Sequence, residues 1–434
     1  MSLLTITKDT YFRKSNTDLS KLADQDKFSV YLGDKFNIKY AFRVGDSCFV
    51  KLHQELGTVG KLGYFHQEHI EVKIVEMRGT WLTNVDSDVL HSRANIEVGL
   101  QRLKDLGFNT IYPVVWQRGF TLYPSEVAQK FTGFFVTEAL SFFKGRDMLS
   151  EIIEVAKPLN LRVIPWFEYG LMAPPNSPLT RKHQDLLTLD IKQNKIRLKS
   201  HDKNKPDTQV WLNPCQPEVQ EFMVDLIADV VERYEIDGIQ LDDRFGFPME
   251  MGYDLFTQQL YKTEQRVKVV PLHHEGLWVD WAANKVTNLL SKIFHAVKSK
   301  RSDCLISISP NPQTFSKKYY LADWDSWVKK GLAEEIVLQV YRANLPSFWA
   351  EISKLEVMEA RRHIPVSIGI LSGLKNKPVA LNLIKEQIQK TRATKFAGMS
   401  FFFYETFFNE IVLDASNQLN ITAREPSKVQ HLFV

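Results

Sequence analysis

Between residues 76 and 405 the chain alternates eight times between a short apolar run and a longer segment with helical spacing. The runs are EMRGTWLTNV (76–85), NTIYPVVW (109–116), LRVIPWFE (161–168), IDGIQLDD (236–243), CLISISP (304–310), EIVLQVY (335–341), PVSIGIL (365–371) and FAGMSFFFY (396–404). Between them lie amphipathic stretches such as IEVGLQRLKDLG, whose Gly107 marks a helix C-terminus, and QPEVQEFMVDLIADVVERY. Short apolar runs separated by helices are the pattern of parallel strands buried on both faces. Eight such units predict a (β/α)8 TIM barrel, an α/β fold. A doubly wound open sheet would want a glycine-rich phosphate-binding turn after its first strand, and GTWLTNV has none.

Residues 1–75 follow a different period. In KFNIKYAFRVG, Phe36, Ile38, Tyr40, Phe42 and Val44 alternate with polar residues, and SCFVKL and HIEVKI continue the pattern. This predicts a small all-β, SH3-like domain over 1–75, a barrel over 76–420 and a C-terminal tail over 421–434. The net charge of +4 is spread along the chain, so no nucleic-acid partner is expected. No apolar run approaches the roughly 20 residues of a membrane span. The first residues lack the apolar core of an export signal, so the sequence alone predicts no secretion. Cys48, Cys215 and Cys304 are widely spaced, which predicts neither a disulfide framework nor a metal site. No cofactor is expected.

In a TIM barrel the chemistry sits at the carboxyl ends of the strands. Alternation puts Gln240 and Asp242 on one face of the fourth run, with Asp243 and Arg244 just beyond. The third run places Trp166 and Glu168 on one face. Other strand ends bring Arg78 and Asn84, then Tyr112, Trp116 and Arg118, then Gln339 and Tyr341, and finally Tyr404 and Glu405. Three long connections, about 117–145, 169–212 and 244–275, carry aromatic residues and read as walls of a cleft.

Carboxylates, amides and flat aromatic rings together suit a polysaccharide or oligosaccharide. Rings stack on the C–H faces of sugars while polar groups bind hydroxyls, and glycosidic cleavage asks for two carboxyl groups. Burial and like-charge repulsion can keep one of two acids protonated near neutrality. Plainer roles exist for the same residues. Asp243 could cap the next helix. Glu168 could pair with Arg78 or Arg118. Trp116 and Trp166 could be core.

The segments RGTWLTNVDSDVL, GLQRLKDLGFNTIYPVVW, VWLNPCQPEVQEFMVDLIADVVERYEIDGIQLDDRFGFP and LQVYR together resemble the bacterial glycosyl hydrolase-like family ten, over about residues 75–405. The resemblance implies a glycoside hydrolase acting outside the cytoplasm on N-acetylhexosamine-containing cell-wall glycans such as peptidoglycan. It implies that Asp242 and Asp243 are the strand-end aspartates, with Glu168 in a role left open. It sets Arg78, Asn213, Gln339 and Tyr341 near the sugar. DGIQLD also resembles the nucleophile strand of amylase-type barrels. However, SISPNP and SIGILSG lack the acids those enzymes carry after strands five and seven. A barrel that binds glycan without cleaving it is the other alternative. Residues 1–75 resemble SH3-like modules on cyanobacterial hydrolases, which implies contact with the wall polymer.

Overall fold

The computed structural model describes residues 2–73, 75–137, 140–195, 197–198, 208–375, 377–413, 419–423, 428–429 and 432–433. Eight parallel strands form a closed barrel. They are β1 (Met77–Leu82), β2 (Thr110–Gln117), β3 (Trp166–Phe167, preceded by the short segment Arg162–Val163), β4 (Gly238–Asp242), β5 (Leu305–Ser309), β6 (Glu335–Gln339), β7 (Val366–Leu371) and β8 (Gly398–Phe402). Closure comes from β1, which pairs with β2 on one side and β8 on the other. The main outer helices are α1 (Arg93–Asp105), α2 (Met148–Ala156), α3 (Pro217–Arg233), α4 (Gly276–Lys300), α5 (Trp324–Lys329), α6 (Leu345–Ile352) and α7 (Leu381–Ala393). α1 ends as expected, with Gly107 at φ +83°, the left-handed geometry that glycine adopts without strain. Among the described residues no helix is long and apolar enough to cross a membrane.

The strand sequences explain how the barrel fills. Along LISIS of β5, isoleucines pack outward on helices and serines face inward, with Gln240 opposite Ser307 and Asp242 opposite Ser309. Small inward residues make room for large ones from other strands. A Cβ added to Gly369 would come within 3.3 Å of the Trp81 ring, and one on Gly79 within 2.9 Å of Tyr112. The mid-level carries a polar chain: Trp81 Nε1 donates to Gln240 Oε1 (2.7 Å), and Gln240 Nε2 donates to Ser307 Oγ (3.0 Å), while Trp166 Nε1 beside them is buried without a partner. At the amino-terminal end of the barrel, Tyr112 Oη donates to Glu335 (3.3 Å), which also faces Arg162 (3.6 Å). Phe433, near the chain end, is buried there against Phe108 and Phe401.

The N-terminal residues form a seven-stranded antiparallel sheet. Its order is Lys27–Val30, Thr10–Arg13, Gly60–His66, Ser47–Leu56, Lys35–Val44, Ser2–Ile6 and Ile70–Lys73. Phe36 and Ile38 enter its core as their spacing predicts, but the register shifts between Ile38 and Tyr40, and Ala41 is the next residue described as buried. A bulge adds one residue and reverses the alternation beyond it. The side chains of Tyr40 and Phe42 lie outside the described residues.

This sheet docks at the base of the barrel. Lys51, with its side chain 3% exposed, donates to both the carboxylate (2.6 Å) and the carbonyl (2.8 Å) of Asp303, just before β5. The Lys51 ammonium holds Asp303 down to about 2, against burial, which acts the other way. Asp303→Asn is expected to destabilise the protein by about 1–3 kcal/mol, because it removes the carboxylate that the buried Lys51 ammonium faces while that carboxylate was itself partly solvated. A depressed carboxyl contributes stability above its unfolded value of 3.8 and loses it as pH falls towards 2. The gap in melting temperature between wild type and variant is therefore expected to close from pH 4 to pH 2, as calorimetry would read.

Candidate active site

The carboxyl ends of β3, β4, β5, β6 and β8 open on one cleft of about 390 Å³, a usual size for a small-molecule site. Its floor holds three carboxyls, Glu168, Asp242 and Asp243. Its walls include Trp81, Trp166, Tyr341 and Phe402. The four rings pack together, with Trp81–Trp166 centroids at 6.4 Å, Trp166–Phe402 at 6.3 Å and Tyr341–Phe402 at 5.5 Å.

The strand register sets two of the acids side by side. Trp166 pairs with Gln240 and Phe167 with Leu241, so the next residues, Glu168 and Asp242, continue as neighbours. Each acid has one amide donor. Gln339 Nε2 donates to Asp242 Oδ1 (2.8 Å), Asn311 Nδ2 to Asp243 Oδ2 (2.6 Å) and Gln117 Nε2 to Glu168 Oε2 (2.7 Å). Asp243 is also ion-paired with Arg244, whose guanidinium lies 5.7 Å from the Tyr320 ring.

These surroundings separate the acids electrostatically. Burial, with the adjacent Asp243 second, pushes the Asp242 carboxyl well above the usual aspartate range. Glu168 keeps some contact with the solvent of the cleft, but the protein around it still raises it to about 7. Gln117, Arg118 and Arg244 oppose that rise, and Asp243 adds to it. Burial likewise raises the Tyr341 phenol, with Asp242 and Asp243 reinforcing. The floor therefore presents two acids biased towards the protonated form beside one ion-paired aspartate.

Of the residues the sequence singled out, the cleft gathers Trp166, Glu168, Asp242, Asp243, Arg244, Gln339 and Tyr341. Gln240 lies one level below and fixes Trp81. Asp243 caps no helix; the next one begins at Leu255 with Asp254 as its cap. The remaining residues are placed elsewhere. Arg78 sits at the opposite end of β1, donating to Glu76 (2.8 Å) and lying over Phe433, because the second residue of a parallel strand faces the base. Tyr112 is in the barrel interior with Glu335. Trp116 points into the helical layer, donating to the Gly170 carbonyl (2.8 Å) and meeting Phe222 of α3 edge-on. The cause is a register shift where β2 meets β3, which puts Gln117 on the cleft side in its place.

Arg118 is exposed at the rim, with Nε 3.3 Å from Tyr169 Oη. Asn213 donates to Asp254 (3.0 Å) and Thr257 (2.7 Å) and so braces a loop. Tyr404 is buried against Phe408. Glu405 accepts from Ser87 Oγ (3.2 Å) and the Asp88 amide (3.1 Å), tying two loops together. Asn84, after β1, does not line the cleft.

Trp81, Phe315, Tyr320, Phe402 and Gln117 complete the site without having been singled out as site residues, and Asn311, at the end of the fifth run, joins them. Trp81 and Asn311 carried a signal, since each lies in or just after a strand that the alternation identified. Phe315 and Tyr320 lie on a helix at Gln313–Tyr320, and nothing in its spacing pointed at the cleft.

The sequence profile described as Glycosyl hydrolase-like 10 matches residues 76–390. Glycosyl hydrolase DigH of Escherichia coli K12 is 25% identical over 325 residues, 64% of this chain and 70% of that protein. Glycosyl hydrolase YngK of Bacillus subtilis strain 168 is 23% identical over 297 residues, 61% of this chain and 54% of that protein. Among solved structures, the PgaB (BpsB) glycoside hydrolase domain from Bordetella bronchiseptica superposes with a TM-score of 0.53 at 12% identity, covering 76% of this chain and 94% of that one. α-L-Fucosidase isoenzyme 2 from Paenibacillus thiaminolyticus gives 0.53 at 14%, covering 82% and 48%. At these identities the structural likeness concerns the fold.

Proposed function

We propose that this chain, which belongs to the glycosyl hydrolase-like 10 family, hydrolyses glycosidic bonds in an N-acetylhexosamine-containing glycan of the peptidoglycan type. Glu168 is the proton donor and Asp242 the carboxyl facing the anomeric carbon. One observation carries this reading: Glu168 and Asp242 are neighbours in register at the strand ends, both biased towards the protonated form, in an aromatic-walled cleft. The substrate class rests on the family.

A carboxyl poised near 7 can both give and take a proton at neutral pH. Glu168 protonates the leaving oxygen as the glycosidic C–O bond breaks, and positive charge grows at the anomeric carbon. Asp242 takes part as the carboxylate, having released its proton to the water of the cleft before the C–O bond breaks, and the growing positive charge favours that ionised form. Asp243 is left out of proton delivery in this scheme, since both Arg244 and Asn311 engage its carboxyl oxygen. The stabilised cation is then captured by Asp242 itself or by the substrate's acetamido oxygen, oriented by Asp242. Water completes the hydrolysis, giving its proton to the Glu168 carboxylate.

The test is incubation with peptidoglycan glycan strands, chitin-type oligomers and α-glucans, read by product mass. Cleavage of amino-sugar glycans is expected, and its absence on all of them, with binding retained, would leave a lectin-like barrel instead. Loss of cleavage on N-deacetylated strands would assign the acetamido route.

A further inference from the structure

Gln117 stands out among the three amides that hold the acids. It is 1% exposed, its Nε2 donates to Glu168, and its Oε1 is buried without a hydrogen-bond partner. An unsatisfied buried carbonyl is destabilising, so its retention next to a titrating acid calls for a reason. A carboxylate only accepts hydrogen bonds, whereas a protonated carboxyl also has one to give. A primary amide carries both complementary functions on nearly isosteric atoms, exchanged by half a turn about its last bond.

We infer that Gln117 is a positioning residue that holds Glu168 in both of its protonation states. With Glu168 ionised, Nε2–H donates to its carboxylate; with Glu168 protonated, the turned amide accepts the carboxyl proton through Oε1. The glutamate side chain therefore keeps one orientation while its proton moves to the leaving oxygen and returns from water. Asn311 and Gln339 hold the other two acids, but each faces a single aspartate whose part in the scheme involves no proton delivery. The inference rests on the reading of Glu168 as the donor.

Other charges face Glu168 too. Arg118 and Arg244 favour its anion, and Asp243 opposes it. Asp242 beside it interacts repulsively with the ionised form. The two arginines only donate, and the Asp242 carboxyl is hydrogen-bonded to Gln339 and not to Glu168, so the dual role falls to the amide that Glu168 does contact.

The experiment is a pH titration by NMR of protein carrying 13C at glutamate carboxyls and 15N at glutamine side chains, with Glu168→Gln and Gln117→Met assigning the resonances. In wild type, the Gln117 amide resonances are expected to move with the same midpoint as the Glu168 carboxyl. Gln117→Met removes the charge-assisted bond to the anion, the stronger of the two, and is expected to raise the Glu168 midpoint by about one unit. Gln117→Glu adds like charge and is expected to raise it further. The alkaline limb of kcat/KM should follow in both variants. A Glu168 midpoint unchanged in both folded variants, or a wild-type Gln117 amide blind to that midpoint, would overturn the inference. The titration stands apart from turnover. A protein that cleaves no glycan but shows the coupled midpoints retains the Gln117 pairing and loses the proposed function.

Discussion

Asp242→Asn is expected to lower kcat by about a thousandfold, within the range that a positioned acid or base contributes. The same substitution is expected to make the protein more stable at neutral pH. Burial and Asp243 raise Asp242 well above its ordinary value, so the folded state binds a proton that the unfolded chain has released. Stability then falls as pH rises from the unfolded value towards the folded one, and at neutral pH the cost is present. Asn carries no charge to bury and still offers an oxygen to Gln339, which removes the cost without opening a cavity. Thermal melts at pH 7.5 and pH 4 should show the variant ahead at the first and level with wild type at the second. A variant that turns over glycan at close to the wild-type rate would take Asp242 out of the mechanism. One that loses both activity and stability would make it a structural residue.

Glu168→Gln carries the second large effect. With glycans, whose leaving group is an alkoxide, loss of the proton donor is expected to cost about a hundredfold to ten-thousandfold in kcat. With an aryl glycoside bearing an acidic phenol, the leaving group departs without protonation, and much of the rate should remain. The pH profile separates this from general damage. In wild type the alkaline limb should have its midpoint near 7, where Glu168 loses its proton; in Glu168→Gln that limb should vanish. Equal losses on both substrates, with the limb still in place, would assign proton donation to another group.

The barrel was legible from strand-length apolar runs alone, and so were the strand ends carrying Asp242 and Glu168. Two of the errors share a cause. Alternation assumes an unbroken pleat, and a register shift in β2 turned Trp116 outward and brought Gln117 to the cleft. A shift in the N-terminal sheet likewise put Ala41 in the core after Ile38. Arg78 was misplaced for another reason: being on a site-bearing strand says nothing about which end of it a residue occupies. Asn213, on a loop, and Glu405, in the short helix Tyr404–Phe407, hold loops together.

By itself the sequence determined eight strand-length apolar runs separated by helices, the pattern of a closed barrel, and the acids that finish strands three and four. These are local facts, carried by residue size and by a period of two. Only the tertiary structure decided that Asp243 belongs to Arg244 and Asn311, that Asp242 belongs to Gln339, and that Glu168 shares its proton's surroundings with Gln117. Apart from Asp243 and Arg244, the partners in those bonds lie between 51 and 97 residues apart. The field that sets each acid's protonation is a sum over atoms brought close by folding, and chain spacing does not encode that sum.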